Sequence, residues 1–168
     1  MRLKTYIVED NPTIRENLIG TLEELASVIV VGTAETENDG KAWLNANRQE
    51  WDLAIVDLFL KQGSGLGVLA ACQDRPSRQK VVVLSNYATA DIRQRCAQLG
   101  VDAVFDKSNE IDALVDYCLQ QDNNFIGKNL VFRDEFLSCQ DFLIPEIPKA
   151  SALQETALPA DRPAPGQE

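Results

Sequence analysis

The chain has 168 residues, is 45% hydrophobic, and carries a formal net charge of −10 with no histidine. This length suits one ordinary domain with a short extension. The negative charge argues against nucleic acid as a direct partner, because phosphate backbones are bound by clustered lysines and arginines. The lack of histidine excludes a histidine-based catalytic triad, a histidine zinc site and a phosphohistidine within this chain.

No run of about 18 apolar residues is present, so no membrane span is predicted. The N-terminal segment passes directly into a strand-like run and lacks the apolar core of a signal peptide, so we expect a cytoplasmic location. The cysteines are interpreted as small buried hydrophobic residues rather than as a disulfide or metal framework, because none forms a CxxC pair. They are Cys72, Cys96, Cys118 and Cys139.

Short apolar runs alternate with helical patterns up to about residue 121. The strand-like runs cover residues 6–8, 28–31, 53–56, 81–84 and 101–105. Helices are predicted from Asn11 as cap with Pro12 at the first position, then over about 39–48, from about Ser64, from about Thr89 to a stop at Gly100, and from Ile111.

Near-continuous aliphatic runs are typical of parallel strands that are buried on both faces. Their alternation with helices predicts a doubly wound α/β domain. We expect a flavodoxin-like, five-stranded parallel sheet of order 2-1-3-4-5, with helices on both faces and a ligand site at the carboxyl ends of the strands.

The composition changes after about residue 121. Four of the six phenylalanines fall in residues 125–142, and five of the seven prolines fall in the last 24 residues. The sequence therefore predicts a domain over 1–121, an apolar phenylalanine-rich appendage over 122–144 and a disordered proline-rich tail over 145–168. The appendage either covers apolar surface of the domain or docks a partner or a second copy.

Polar residues stand at the ends of the predicted strands. Glu9 and Asp10 end the first strand, Asp57 the third and Ser85 the fourth, and Lys107 follows the fifth. In a parallel sheet these ends meet at one edge, so the five side chains would share a pocket. Three carboxylates repel one another, and a divalent cation such as Mg²⁺ would resolve that repulsion.

This set of side chains matches the needs of phosphoryl transfer. Asp57 would attack and form an acyl phosphate, while Lys107 and the cation would neutralise charge on the transferred group. The hydroxyl of Ser85 can donate a hydrogen bond to a phosphoryl oxygen.

At the same positions the chain resembles the receiver domains of bacterial two-component response regulators. The resemblance covers about residues 3–120, and its motifs are residues 6–11, 57–60, 63–66, 83–85 and 105–107. It implies that Asp57 is phosphorylated by a histidine kinase or a phosphotransfer protein, and that Ser85 and Lys107 contact the phosphoryl group.

The resemblance also implies the Mg²⁺ ligands. Asp10 would bind the cation directly, and Glu9 would act mainly through a bound water. Asp57 and the backbone carbonyl of Phe59 would complete the protein's part of the site. The chain would be a signalling switch, with at most intrinsic phosphotransfer and autodephosphorylation.

The sequence departs from the family pattern at three positions. Val104 stands where an aromatic switch residue is usual, and strand alternation places Phe105 on the other face. Tyr87 is a candidate substitute for that switch or a packing residue at a helix edge. Ser108 replaces a proline, so a trans peptide bond is expected, and Lys61, where proline is also frequent, receives no role.

The sequence is compatible with three functions. The first is a response regulator that signals to a downstream protein target, or passes the phosphoryl group along a phosphorelay, without a DNA-binding output domain. The second is a phosphate-independent receiver-like scaffold, and the third is an aspartyl-phosphate phosphohydrolase. Phe59 argues against the third, because that class usually has an acid two residues after the nucleophile. The sequence leaves open whether the chain forms a homodimer.

Overall fold

The computed structural model describes the backbone of residues 2–134 and the side chains of residues 2–123. Cys139, most of the predicted appendage's side chains and the predicted tail over 145–168 lie outside the described residues. The strands are β1 (Leu3–Val8), β2 (Val28–Ala34), β3 (Leu53–Val56), β4 (Lys80–Ser85) and β5 (Ala103–Asp106). The helices are α1 (Pro12–Leu25), α2 (Glu37–Ala46), α3 (Gly65–Ala71), α4 (Ala90–Gln98) and α5 (Ile111–Asp134).

The strands form one parallel sheet in the order β2-β1-β3-β4-β5, which confirms the predicted fold. All four residues of β3 are buried, as expected for the central strand of a sheet covered on both faces. On one face, Ile7 and Ile55 pack with Leu22 of α1 and Leu114 of α5. On the other, buried side chains of α2 and α3 pack on the sheet, and the partly buried Ile92 of α4 packs against them.

The helix starts follow from capping. Asn11 caps α1 and Pro12 occupies its first turn, as predicted. The prediction that α2 begins near Asp39 was wrong by two residues, because Thr36 caps the helix. The hydroxyl of Thr36 accepts from the Asp39 amide at 3.1 Å and donates to the Asp39 carboxylate at 2.9 Å, which places Asp39 in the first turn.

Two local features bring the strand ends and loops into place. Gly100 follows α4 with φ 74°, as its predicted role as a helix stop requires. A Cβ atom on Gly65 would collide with the carbonyl oxygen of Asp57, so only glycine allows α3 to start this close to the end of β3.

The fifth helix extends beyond the predicted domain boundary at residue 121 and runs to Asp134. The boundaries at 121 and 144 stay predictions. Within the described residues, no helix combines the length and the apolar character that crossing a membrane requires.

Candidate functional site

Lys107 follows β5 and lies at the centre of the strand-end cluster. Its ammonium donates to Glu9 Oε2 at 2.5 Å and to Asp57 Oδ2 at 2.7 Å. All three side chains are less than a tenth exposed. Burial by itself would lower the pKa of Lys107, but the hydrogen bonds and charges of Asp57 and Glu9 together hold that pKa above its ordinary value. One ammonium thus compensates two buried carboxylates.

The carboxylates of Glu9, Asp10 and Asp57 come together, as the strand-end pattern predicts. Each offers a ligand oxygen, and these oxygens lie within 4.8 Å of one another. Three hard oxygen donors at this spacing suit Mg²⁺ or Ca²⁺. The donor set therefore fits the divalent cation that the sequence implies.

A backbone amide orients each of these carboxylates. The donor–acceptor pairs are Asn11 N to Glu9 Oε1 at 3.0 Å, Phe59 N to Asp57 Oδ1 at 3.2 Å, and Lys61 N to Asp10 Oδ2 at 2.9 Å. Lys61 was assigned no role from the sequence, yet its N–H holds one of the acids. A proline at this position has no N–H and would leave Asp10 without that donor.

Ser85 ends β4 and is completely buried. Its Oγ accepts a hydrogen bond from the amide of Tyr87 at 3.3 Å, and its carbonyl accepts from the amide of Lys107 at 3.1 Å. The Ser85 side chain does not line the cavity that lies over the carboxylates. Asn86 lines the cavity instead, and its only sequence signal is its position directly after the strand-end serine.

A shallow cavity of about 190 Å³ lies over the carboxylates. Phe59 and Tyr87 line its entrance and are 54% and 61% exposed. Their ring centroids lie 5.0 Å apart at an interplanar angle of 66°, which is edge-to-face contact. The aromatic side chains of Phe59 and Tyr87 therefore contact each other beside the carboxylates.

Val104 packs towards α4, whereas Phe105 is buried on the opposite face beside Tyr117. The alternation predicted for these two residues is confirmed. The carbonyl of Val104 accepts a hydrogen bond from Arg93 Nη1 at 2.6 Å. The bond between Lys107 and Ser108 is trans, as predicted.

Arg93 of α4 is a residue that the sequence analysis missed. Besides Val104, it contacts Glu110 through Nη2 at 2.8 Å and the carbonyl of Ala88 through Nε at 3.1 Å. Glu110 also accepts from the amide of Asp106 at 2.6 Å. The hydrogen bond from Arg93, helped by the Asp106 amide, lowers the pKa of Glu110. This network joins α4 to the segment that carries Lys107.

Comparison with known proteins agrees with this geometry. The response regulator receiver domain family matches residues 5–118, and the chain belongs to that family. Receiver domains are signalling switches of two-component systems rather than classical enzymes, and phosphorylation and Mg²⁺ binding are general features of the family. Members interact with kinases and downstream targets.

Two relatives come from Pseudomonas aeruginosa. The response regulator protein PilR is 30% identical over 99 residues, which cover 59% of this chain and 21% of PilR. A protein provisionally named a transcriptional regulator is 31% identical over 112 residues, 67% of this chain and 53% of that protein. The chain thus spans about half the length of one relative and about a fifth of the other.

Solved structures show the same fold at low identity. The response regulator domain of Thermotoga maritima CheB is 15% identical with a TM-score of 0.60, over 72% of this chain and 93% of that one. A chain of the CheX–CheY–BeF3–Mg²⁺ complex from Borrelia burgdorferi is 14% identical with a TM-score of 0.62, over 74% and 89% of the two chains.

Proposed function

We propose that this receiver domain accepts a phosphoryl group on Asp57 from a histidine kinase or a phosphotransfer protein, and then signals by contact with a downstream protein target. The observation that carries the proposal is the position of Lys107, whose ammonium binds both Asp57 and Glu9 beside a third carboxylate. A buried nucleophilic carboxylate next to a fixed positive charge is suited to attack on a phosphorus atom.

In this proposal an oxygen of Asp57 forms the new bond to phosphorus, and the bond from phosphorus to the donor's nitrogen breaks. The amide of Phe59 holds the other Asp57 oxygen, which orients the carboxylate for attack. Lys107 neutralises charge on the transferred group. A bound Mg²⁺ would add positive charge there, held by Glu9, Asp10, Asp57 and the carbonyl of Phe59.

Ser85 would contact the phosphoryl group through its hydroxyl proton. Its Oγ accepts from the Tyr87 amide, so the proton remains available to donate. A rotation of this hydroxyl towards a phosphoryl oxygen would disturb the Tyr87 amide and with it the segment before α4. We infer that this segment is where phosphorylation first alters the backbone.

The signal would then reach the face formed by α4 and β5 without an aromatic side chain at position 104. Arg93 binds the carbonyl of Val104 and the carboxylate of Glu110, and Glu110 binds the amide next to Lys107. A shift of Lys107 towards a phosphoryl group would change the geometry of these hydrogen bonds. Tyr87 is 61% exposed, so its aromatic side chain is available for contact with a partner.

Intact-protein mass spectrometry after incubation with Mg²⁺ and acetyl phosphate tests the proposal. The wild type should gain the mass of one phosphoryl group, and Asp57→Asn should gain none. Asp116→Asn, a change at an exposed residue of α5, should behave as the wild type. No added phosphate on the wild type would favour the phosphate-independent scaffold, and equal labelling of Asp57→Asn would show that the acceptor is another residue.

The phosphohydrolase alternative remains disfavoured because Phe59 has no acid to protonate a leaving group. A cytoplasmic location, the absence of nucleic-acid and membrane partners, the lack of a DNA-binding output domain and a homodimer stay predictions. The proposal that Asp57 accepts a phosphoryl group does not depend on whether these predictions hold.

A further inference from the structure

A second cavity lies at the end of the sheet opposite the carboxylates. Its volume is about 490 Å³, which is within the range of small-molecule sites, whereas the cavity over the carboxylates has about 190 Å³. Its wall is formed by residues at the ends of α2 and α3, and by Trp51 and Gln79, which come before β3 and β4. None of these residues belongs to the strand-end site.

Hydrogen bonds fix the wall of this cavity. Gln79 is 2% exposed, and its Nε2 donates to the carbonyls of Arg48 at 2.7 Å and Trp51 at 2.8 Å. Arg75 donates through Nε to the Gln79 carbonyl at 3.0 Å and through Nη1 to the Cys72 carbonyl at 2.9 Å. The segments after α2 and α3 are therefore tied to the start of β4, so a ligand would meet a wall that is formed before it binds.

The arginines of the wall favour an anion. Three of the nine arginines of this acidic chain line the cavity. Arg75 is paired with Asp102, with 2.8 Å between Nη2 and Oδ2. Arg78 approaches Asp52 only to 3.8 Å, and within the described residues the guanidinium of Arg48 makes no ion pair or hydrogen bond. The guanidiniums of Arg48 and Arg78 are thus free to bind an anionic group.

Other polar groups of the wall suit a ligand that both accepts and donates hydrogen bonds. Trp51 is 3% exposed, and its Nε1 has no hydrogen-bond partner among the residues that the structure describes. Among the same residues nothing donates to Gln79 Oε1. Asp74 adds an exposed carboxylate at the wall. A buried N–H without an acceptor costs free energy, so a ligand oxygen that reached Trp51 Nε1 from the cavity would be stabilised there.

Two features of the wall act against an anion, and both are weakened. Carbonyl groups at a helix end carry partial negative charge. At the end of α2 the Trp43 carbonyl accepts from the amide and the Nδ2 of Asn47, and at the end of α3 the Cys72 carbonyl accepts from Arg75. Burial raises the pKa of the Cys72 thiol to about 11, so this thiol adds no negative charge at neutral pH.

We propose that this cavity binds a phosphate ester of the size of a nucleoside monophosphate. The guanidiniums of Arg48 and Arg78 would hold the phosphate, because arginine forms paired hydrogen bonds with phosphate oxygens. The body of the ligand would lie against Trp51 and donate a hydrogen bond to Gln79 Oε1. The site is separate from Asp57, so the inference goes beyond the proposed function and does not depend on phosphorylation.

Calorimetric titration of the full chain with adenosine and guanosine monophosphates tests the site. EDTA is present, so that no divalent cation occupies the strand-end carboxylates. At least one nucleotide should bind, and its two halves, the nucleoside and inorganic phosphate, should each bind at least about tenfold more weakly. No binding of either nucleotide at about 10 mM, or equal binding of the nucleoside, would overturn the inference.

Substitutions at the wall locate the phosphate. The double variant Arg48→Gln, Arg78→Gln removes both charges and should bind the nucleotide at least about tenfold more weakly. Arg95→Gln, a change at an exposed arginine of α4, is the matched control and should bind as the wild type. If the control weakened binding as much as the double variant, only the net charge of the chain would matter, and the assignment to this cavity would be wrong.

The two tryptophans give a readout in the unsubstituted chain. Trp51 lines the cavity, whereas Trp43 stacks on Tyr6 with 3.9 Å between ring centroids. The indole N–H resonance of Trp51 should shift when the nucleotide is added, and that of Trp43 should change little. The variant Trp43→Phe assigns the two resonances. A nucleotide that bound without shifting the Trp51 resonance would occupy another place, which would also overturn the inference.

Discussion

The ammonium of Lys107 lies 2.7 Å from Asp57 Oδ2, and the same nitrogen binds Glu9. The pair joins the end of β3 to the residue that follows β5, across 50 residues of sequence. Because both carboxylates are buried, this one positive charge is what makes their ionised state tolerable in the folded chain. Mg²⁺ or a phosphoryl group would approach the same oxygens.

Replacement of Lys107 by methionine should destabilise the chain by about 3 kcal/mol in EDTA at neutral pH, since it leaves two buried carboxylates without their partner. Mg²⁺ should restore more stability to this variant than to the wild type, because the cation replaces the lost charge. Urea unfolding with and without Mg²⁺ measures both effects.

The matched control is Lys41→Met, which removes a partly exposed ion pair with Glu37 on α2. Exposed pairs contribute less than about 1 kcal/mol. If Lys107→Met were as stable as the wild type in EDTA, the ammonium would not be compensating buried charge.

The edge-to-face pair of Phe59 and Tyr87 should slow hydrolysis of the acyl phosphate. Both rings are bulky, and neither side chain carries an acid or an amide that could orient a water molecule for attack. The double variant Phe59→Asn, Tyr87→Glu should lose phosphate from Asp57 at least about tenfold faster, because an amide and a carboxylate can position water. Release of inorganic phosphate in the presence of Mg²⁺ gives the rate. Phe59→Leu, which keeps apolar bulk, serves as control, and an unchanged or slower rate in the double variant would refute the shielding role.

Loss of Arg93 should loosen the contact between α4 and β5. Arg93→Ala removes the hydrogen bonds to Val104 and Glu110, which together contribute about 1 kcal/mol at this exposed position. Amide hydrogen exchange in α4 should then be about fivefold faster, with β1 and β2 unchanged. Arg95→Ala is the control on the same helix, and equal exchange in Arg93→Ala and the wild type would exclude Arg93 as a link to α4.

Asp102 lies at the opposite end of the sheet, and its ionisation should make the stability of the chain depend on pH. Burial by itself would raise the pKa of Asp102, but hydrogen bonds from the Val81 amide and Arg75, with the charges of Arg75 and Lys80, hold that pKa below its ordinary value. A lowered pKa contributes stability that is present above the unfolded pKa of about 3.9 and is lost as the pH falls through the folded value.

Asp102→Asn should therefore be about 2 kcal/mol less stable than the wild type at pH 7, and the difference should narrow below about pH 4. Urea unfolding at several pH values measures it, with the exposed Asp116→Asn as control. A difference that stayed constant from pH 7 to about pH 3 would show that the charge of Asp102 contributes nothing.

Much of the fold and the outline of the site could be predicted from the chain alone. Aliphatic runs separated by helical patterns determine a parallel sheet, and parallel strands bring their carboxyl ends to one edge. That rule is enough to place Glu9, Asp10, Asp57 and Lys107 together. Helix caps such as Asn11 can also be predicted from the sequence, because the effect of a cap extends only over one helical turn.

The tertiary structure decided the contacts that cross between loops. The amide of Lys61 reaches Asp10 over 51 residues, and Arg93 reaches both Val104 and Glu110. Residue type does not predict either contact, because a backbone N–H is common to all residues except proline and a surface arginine usually faces water. The direction of an N–H and the reach of a guanidinium depend on loop conformation, which the packing of the whole sheet determines.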